Sequence, residues 1–167
     1  GAVAYFHATG RDRLLKVMMR YMDHIAEVFG PNPGQKRGYC GHQEIELALV
    51  KLYHATGIRK YLDLATYFID ERGAQPHYFD IERAARGEAV EGFIQSTYEY
   101  NQSHQPVRDQ TKVVGHAVRA MYMYTAMAEA LEAAQTDAGV RSVLITGQPG
   151  IFTSGNDIDD FMQRQKL

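Results

Sequence analysis

A chain of 167 residues, 45% hydrophobic and 23% charged, is long enough for one domain with a core and too apolar for a disordered segment. Its formal net charge of -2, with Lys and Arg scattered rather than striped, makes neither nucleic acid nor an anionic membrane an expected partner. The single cysteine, Cys40, excludes an internal disulfide and a thiolate metal cluster, and no apolar run approaches the roughly 18 residues of a membrane span.

Residues 1–6 already read as the end of an apolar helix, so the fold is expected to begin ahead of Gly1. With no export signal in view, a cytoplasmic location is expected. The run Phe6-His7-Ala8-Thr9-Gly10 returns 47 residues later as Tyr53-His54-Ala55-Thr56-Gly57. After each glycine comes a basic patch and an amphipathic helix: Leu14, Leu15, Met18, Tyr21, Met22 and Ile25 in the first copy, Tyr61, Leu62, Ala65, Phe68 and Ile69 in the second. The same shift superposes Leu15 on Leu62, Tyr21 on Phe68 and Asp23 on Asp70, the signature of a helix-pair array. His7 and His54 fall in the repeated loop and read as structural.

Between the copies, residues 30–34 (Gly-Pro-Asn-Pro-Gly) stop a helix by removing donors and admitting positive φ. Residues 38–53 then place polar chemistry at the head of an apolar helix. Glu44 and Glu46 fall in its first turn, where the helix dipole favours a carboxylate, and Ile45, Ala48, Leu49 and Leu52 follow at helical spacing. Leu47 and Val50 lie on other faces, which predicts a buried helix. Residues 73–76 stop the second pair. Residues 80–86 read as a short helix, and residues 97–106 have no clear period. From about Thr111 a helix is expected through Gly115 and His116 to about Ala134. Residues 140–146 then read as a β-branched strand leading into a turn, and residues 151–162 as a loop with Asn156 or Asp157 capping a short helix.

The pairs Gly41-His42 and Gly115-His116 suggest two equivalent helix starts opening on one cleft, where imidazoles can bond ligand hydroxyls. Glu44 and Glu46 are candidate acids, bases or dipole caps. His77 and His104 are further site candidates in the irregular region. No histidine pair has the i, i+4 spacing with a third ligand that zinc proteases use, and Cys40 reads as a buried, inert thiol rather than a nucleophile.

Four stretches resemble glycoside hydrolase family 127, whose known members include β-L-arabinofuranosidases: residues 5–12, 41–48, 75–80 and 115–122. The resemblance implies a mainly α fold, a partial (α/α)6 barrel of helix-pair repeats over residues 1–122. It places His42 and His116 among the histidines that contact the arabinofuranose, with Glu44 and His104 as further substrate-binding candidates. The intact family cleaves a terminal furanoside with retention through a covalent intermediate. Its acid/base glutamate, cysteine nucleophile and Glu-plus-Cys zinc site lie beyond the matching stretches. No catalytic residue, metal ligand or cofactor is therefore assigned here, the chain alone is expected to be inactive, and zinc belongs to the intact family. The implied partner is a small arabinofuranoside, and uncovered apolar faces would favour self-association.

Residues 119–122, 128–134, 140–147 and 152–158 also resemble the enoyl-CoA hydratase/isomerase (crotonase) family. This implies a crotonase-type C-terminal fragment over residues 123–167, with a short strand and helix, a chimeric chain, and Asn156 as one backbone donor of an oxyanion hole. The alternatives to a glycosidase segment are thus a crotonase-type acyl-CoA-binding fragment and a non-catalytic helical module that binds a protein partner.

Overall fold

The computed structural model describes residues 1–88 and 98–136. In chain order these form α1 (Ala2–Thr9), α2 (Arg13–Val28), α3 (Ile45–Thr56), α4 (Arg59–Glu71), α5 (Tyr78–Ala85), a 3-10 turn (Val107–Asp109) and α6 (Ala117–Thr136). Among the described residues there is no sheet; Phe29 and Lys36 form an isolated bridge where the proline-rich turn folds back after α2.

The 47-residue repeat is a structural repeat. Thr9 donates its hydroxyl to Tyr5 O at 2.7 Å and accepts the Arg11 N–H at 3.2 Å; Thr56 does the same with Leu52 O at 2.7 Å and Ile58 N at 3.3 Å. Each helix then ends on a left-handed glycine, Gly10 or Gly57, both at φ 69. His7 and His54 therefore sit in the last turns of α1 and α3 rather than in a loop. The superposed aspartates both tie their unit to the following one. Asp23 takes Lys60 Nζ at 2.8 Å and Tyr61 OH at 3.1 Å, and Asp70 takes the Arg108 fork at 3.0 Å on both oxygens. The match at Tyr21 and Phe68 does not extend to burial: Tyr21 is exposed and Phe68 is core.

Helices α1, α3 and α6 lie side by side, with α2 packed on α1 and α4 on α3, forming a two-layer arc. The core runs between α3 and α4, through Leu49, Val50, Leu52, Tyr61, Leu62, Leu64, Ala65 and Phe68. Contacts with three other helices explain why α3 is apolar on more than one face. An aromatic group of Phe29, Phe68, Tyr39, Tyr78 and Phe79 closes the end where α2 and α4 finish.

The last helix departs from the sequence expectation at its start. It begins at Ala117, because Gly115 stands at φ 79 and cannot belong to a right-handed helix starting at Thr111. It then runs unbroken across residues 119–122, where the two family resemblances meet. Residues 140–146, expected as a strand, and Asn156 lie outside the described residues.

Candidate functional site

Two contacts fix how α3 and α6 are related. Arg119 Nη1 donates to Gly41 O at 2.7 Å near the start of both helices, and Lys51 pairs with Glu129 at 2.7 Å further along both. The helices are therefore parallel, with their N-termini at one end. That end carries the turn with His42, the segment with His116, and the loop 98–104.

These three segments are held by side chains rather than by a backbone ladder. Gln43 donates to Asn101 O at 2.7 Å and to the Gln102 side-chain oxygen. Gln102 in turn donates to Val114 O at 2.8 Å and His116 O at 3.3 Å. The His116 N–H returns to Tyr100 O at 3.0 Å. Arg72, just past the end of α4, donates Nη2 to Cys40 O at 2.7 Å and Nη1 to Asn101 O at 3.1 Å, with its guanidinium 4.7 Å from the Tyr39 ring centre. Ser103 donates to the Asn101 side-chain oxygen at 2.6 Å. Gln43, Glu46, Asn101, Gln102 and Ser103 are at most 1% exposed, so these bonds do not exchange with water.

Glu46 is part of this knot and not an exposed first-turn carboxylate. It lies three residues after Gln43, on the same face of the chain as α3 begins, and is 0% exposed. One oxygen is 3.5 Å from Arg72 Nη2, while the other has no hydrogen-bond partner. The best donors of Arg72 go to carbonyls instead. Burial accordingly pushes the Glu46 carboxyl up, with the Arg72 charge opposing.

His42 and His116 are both exposed at this end. They are not equivalent helix starts: His42 sits in a turn three residues ahead of Ile45, while His116 directly precedes Ala117. The His116 ring meets Tyr100 edge-on at 5.4 Å, and the same tyrosine ring lies 4.6 Å from the Arg119 guanidinium that reaches back to Gly41. Gly41, Arg119, Tyr100 and His116 thus form a continuous chain of contacts joining the two histidine segments. His104 follows Ser103 on the third segment, half-buried, with Nδ1 buried and unpartnered.

Glu44 stands apart from this arrangement. It is exposed and lines an open, mainly apolar groove of about 800 Å³ between α1, α2, α3 and α6, whose wall includes Leu15, Met18, Ala48 and Tyr122 but none of His42, His104 or His116. His77 is buried and stacked on Tyr98 at 3.6 Å, with Gln75 bonded to its ring at 2.8 Å; burial lowers its pKa and the Asp80 charge opposes. Cys40 is exposed, contrary to the buried thiol expected, but its Sγ donates to His42 O at 3.0 Å. Desolvation by the surrounding chain, reinforced by Glu46, pushes its thiol up to about 11.

Sequence reasoning missed Arg72, Asn101, Gln102 and Arg119. One signal was available: Gln43 and Glu46, three apart at the head of an otherwise apolar helix, mark a polar stripe that a buried helix has to satisfy. Among the described residues no group of three or more His, Cys, Asp or Glu is placed to hold a metal ion, and no helix is long and apolar enough to cross a membrane.

Similarity to known proteins extends over most of the chain. A family profile described as the GH127 catalytic domain of β-L-arabinofuranosidase matches residues 1–143, past residues 119–122. A non-reducing end β-L-arabinofuranosidase of Bifidobacterium longum subsp. longum is 43% identical over 131 residues, covering 76% of this chain and 20% of that protein. A crystal structure of a GH127 β-L-arabinofuranosidase from Geobacillus stearothermophilus T6 aligns at 52% identity with a TM-score of 0.74, over 87% of this chain and 25% of that one. A second GH127 β-arabinofuranosidase structure aligns at 40% identity and TM-score 0.65, over 80% and 18%. The chain thus spans a quarter or less of each relative. The crotonase-like and chimeric reading of the C-terminal part gains no support from these matches.

Proposed function

Because the chain belongs to the GH127 β-L-arabinofuranosidase catalytic-domain family, we propose that it is a segment of a retaining β-L-arabinofuranosidase-like hydrolase that carries part of the sugar-binding face. The observation that carries this reading is the convergence of the His42 and His116 segments at the shared N-terminal end of α3 and α6, joined through Tyr100 and Arg119. Each exposed imidazole can donate and accept hydrogen bonds to furanose hydroxyls, and the Tyr100 ring offers a face to the sugar. His104, on the adjoining loop, is the third substrate-binding candidate. Glu44 is assigned to the neighbouring groove, where it would reach only the distal part of a longer glycoside.

The zinc site that the family resemblance implies does not fit the residues present. Cys40 is the one thiol in the chain and cannot be both a nucleophile and a set of thiolate ligands. No step of hydrolysis is therefore assigned to this segment. Apolar side chains exposed on α2 (Leu14, Val17, Tyr21) and α6 (Val118, Met121, Tyr122) favour self-association of the isolated chain. No observation on the described residues favours the acyl-CoA or the interaction-module reading.

The test is a titration of the 167-residue chain with methyl β-L-arabinofuranoside. His42→Ala should weaken binding about 5- to 150-fold, corresponding to the loss of about 1–3 kcal/mol from one polar contact that the bound sugar covers. An unchanged affinity, or no binding by the unaltered chain, would remove the reading. The chain should release no arabinose from an aryl β-L-arabinofuranoside; release that disappears in Cys40→Ser would place the nucleophile here after all.

A further inference from the structure

We propose that Arg72 and Gln102 are positioning residues that hold the His42, His104 and His116 segments as one mechanical unit, so that a disturbance in any one segment moves the histidines of the others. The proposal rests on the sugar-site reading only for its effect on binding; the coupling itself follows from the bonds.

Those bonds close a ring. Arg72 ties the 38–43 turn, through Cys40 O, to the 98–104 loop, through Asn101 O. Gln102 ties that loop to the 114–116 segment through Val114 O and His116 O, and also accepts from Gln43. Arg119 returns from the head of α6 to Gly41 O. With Arg119 counted with the residues just before it as a 114–119 segment, each segment is bonded to both others. A planar guanidinium suits the Arg72 position because its donors diverge in fixed directions toward two carbonyls of different segments; a lysine ammonium has no such fork.

Burial separates holding from contact. Arg72 is 1% and Gln102 0% exposed, so neither can touch a ligand without the loops opening, whereas His42 and His116 are exposed. Gln102 also stands at φ 55, a left-handed conformation rare for its residue type. The loop adopts it while that side chain reaches three partners: the Gln43 amide, Val114 O and His116 O.

The experiment uses the 167-residue chain with labelled histidine, reading the ring resonances of His7, His24, His42, His54, His104 and His116, the cooperativity of thermal unfolding, and affinity for methyl β-L-arabinofuranoside. Arg72→Lys bonds nothing in the 114–119 segment, so a shifted His116 resonance reports transmission. Gln102→Asn is the second variant, because asparagine tolerates positive φ well yet is too short to span the same partners. The expected result in either folded variant is that His42, His104 and His116 resonances all move, His7, His24 and His54 stay, and sugar affinity falls about tenfold. A His116 resonance unmoved in Arg72→Lys would overturn the proposal. So would non-cooperative unfolding of both variants with all six resonances displaced, since that is a plain folding defect. If the unaltered chain binds no sugar, the function proposed above fails, while the ring resonances still decide the coupling.

Discussion

Substituting Gly115 separates two reasons for a glycine that sequence alone cannot distinguish. Gly57 and Gly115 both adopt positive φ, at 69 and 79, so alanine at either place carries the left-handed penalty of about 1–2 kcal/mol, partly offset by a stiffer unfolded chain. At Gly57 nothing lies within 4 Å of the added Cβ, and the penalty ends there. At Gly115 the Cβ would stand 1.8 Å from Glu99 O and 2.8 Å from Gln102 Nε2. The backbone would have to part by more than about 1 Å, which removes the His116 N–H bond to Tyr100 O and the Gln102 bond to Val114 O. Two partly buried bonds lost at about 1 kcal/mol or more each bring the total for Gly115→Ala to about 3–5 kcal/mol. In a chain of this size that lowers Tm on the order of 10 °C, against about 3 °C for Gly57→Ala. Thermal unfolding of the two variants side by side, followed by far-ultraviolet circular dichroism, is the assay. Equal losses at the two sites would show that the 98–104 loop does not press on Gly115.

Two titrations test the electrostatics of the knot. Burial raises the Glu46 carboxyl above its unfolded value of 4.5, so its stability contribution is complete below that pH and is lost as pH rises through the folded pKa. Glu46→Gln should therefore gain on the unaltered chain in Tm as pH climbs from about 4 to 7; a gap independent of pH would contradict the assignment. The Cys40 thiolate, followed by its ultraviolet absorbance, should reach half-formation at about 11, and alkylation near pH 8 should run about 100-fold slower than for a free thiol. A half-point near that of an ordinary cysteine would show that neither desolvation by the surrounding chain nor Glu46 acts on the thiol.

The parts of the fold that were legible in the sequence are those made by neighbours along the chain. The Ala-Thr-Gly repeat was visible because threonine bonds a carbonyl four residues back and glycine then turns left, both within one helical turn, although the run closes a helix and is not the loop expected. Asp23 and Asp70 matched because each repeat unit has to be tied to the next. The 98–104 loop showed no period because its order comes from the Gln102 side chain reaching Val114 O and His116 O and from the Asn101 carbonyl accepting from Gln43 and Arg72, with Tyr98 and Gln102 at positive φ. Propensity along the chain carries no trace of such bonds.

The two Gly-His pairs show how far a matched motif can mislead about local structure and still mark segments that meet at one end of the fold. Gly115 is held at φ 79 against the Glu99 carbonyl, whereas the nearest atom to a Cβ on Gly41 is an Arg119 nitrogen at 4.0 Å. One glycine answers to a close backbone contact and the other does not, so the pairs do not repeat one turn. What they share is position. Parallel α3 and α6 bring residues 41 and 119 together, and 51 and 129, at the same sequence separation, so anything preceding both helices meets at one end. The knot of Gln43, Arg72, Gln102 and Arg119 then fixes the distance between the two segments. A histidine pair placed this way depends on residues that never reach the surface, and substitutions at those residues should alter how the exposed imidazoles are presented without changing what they are.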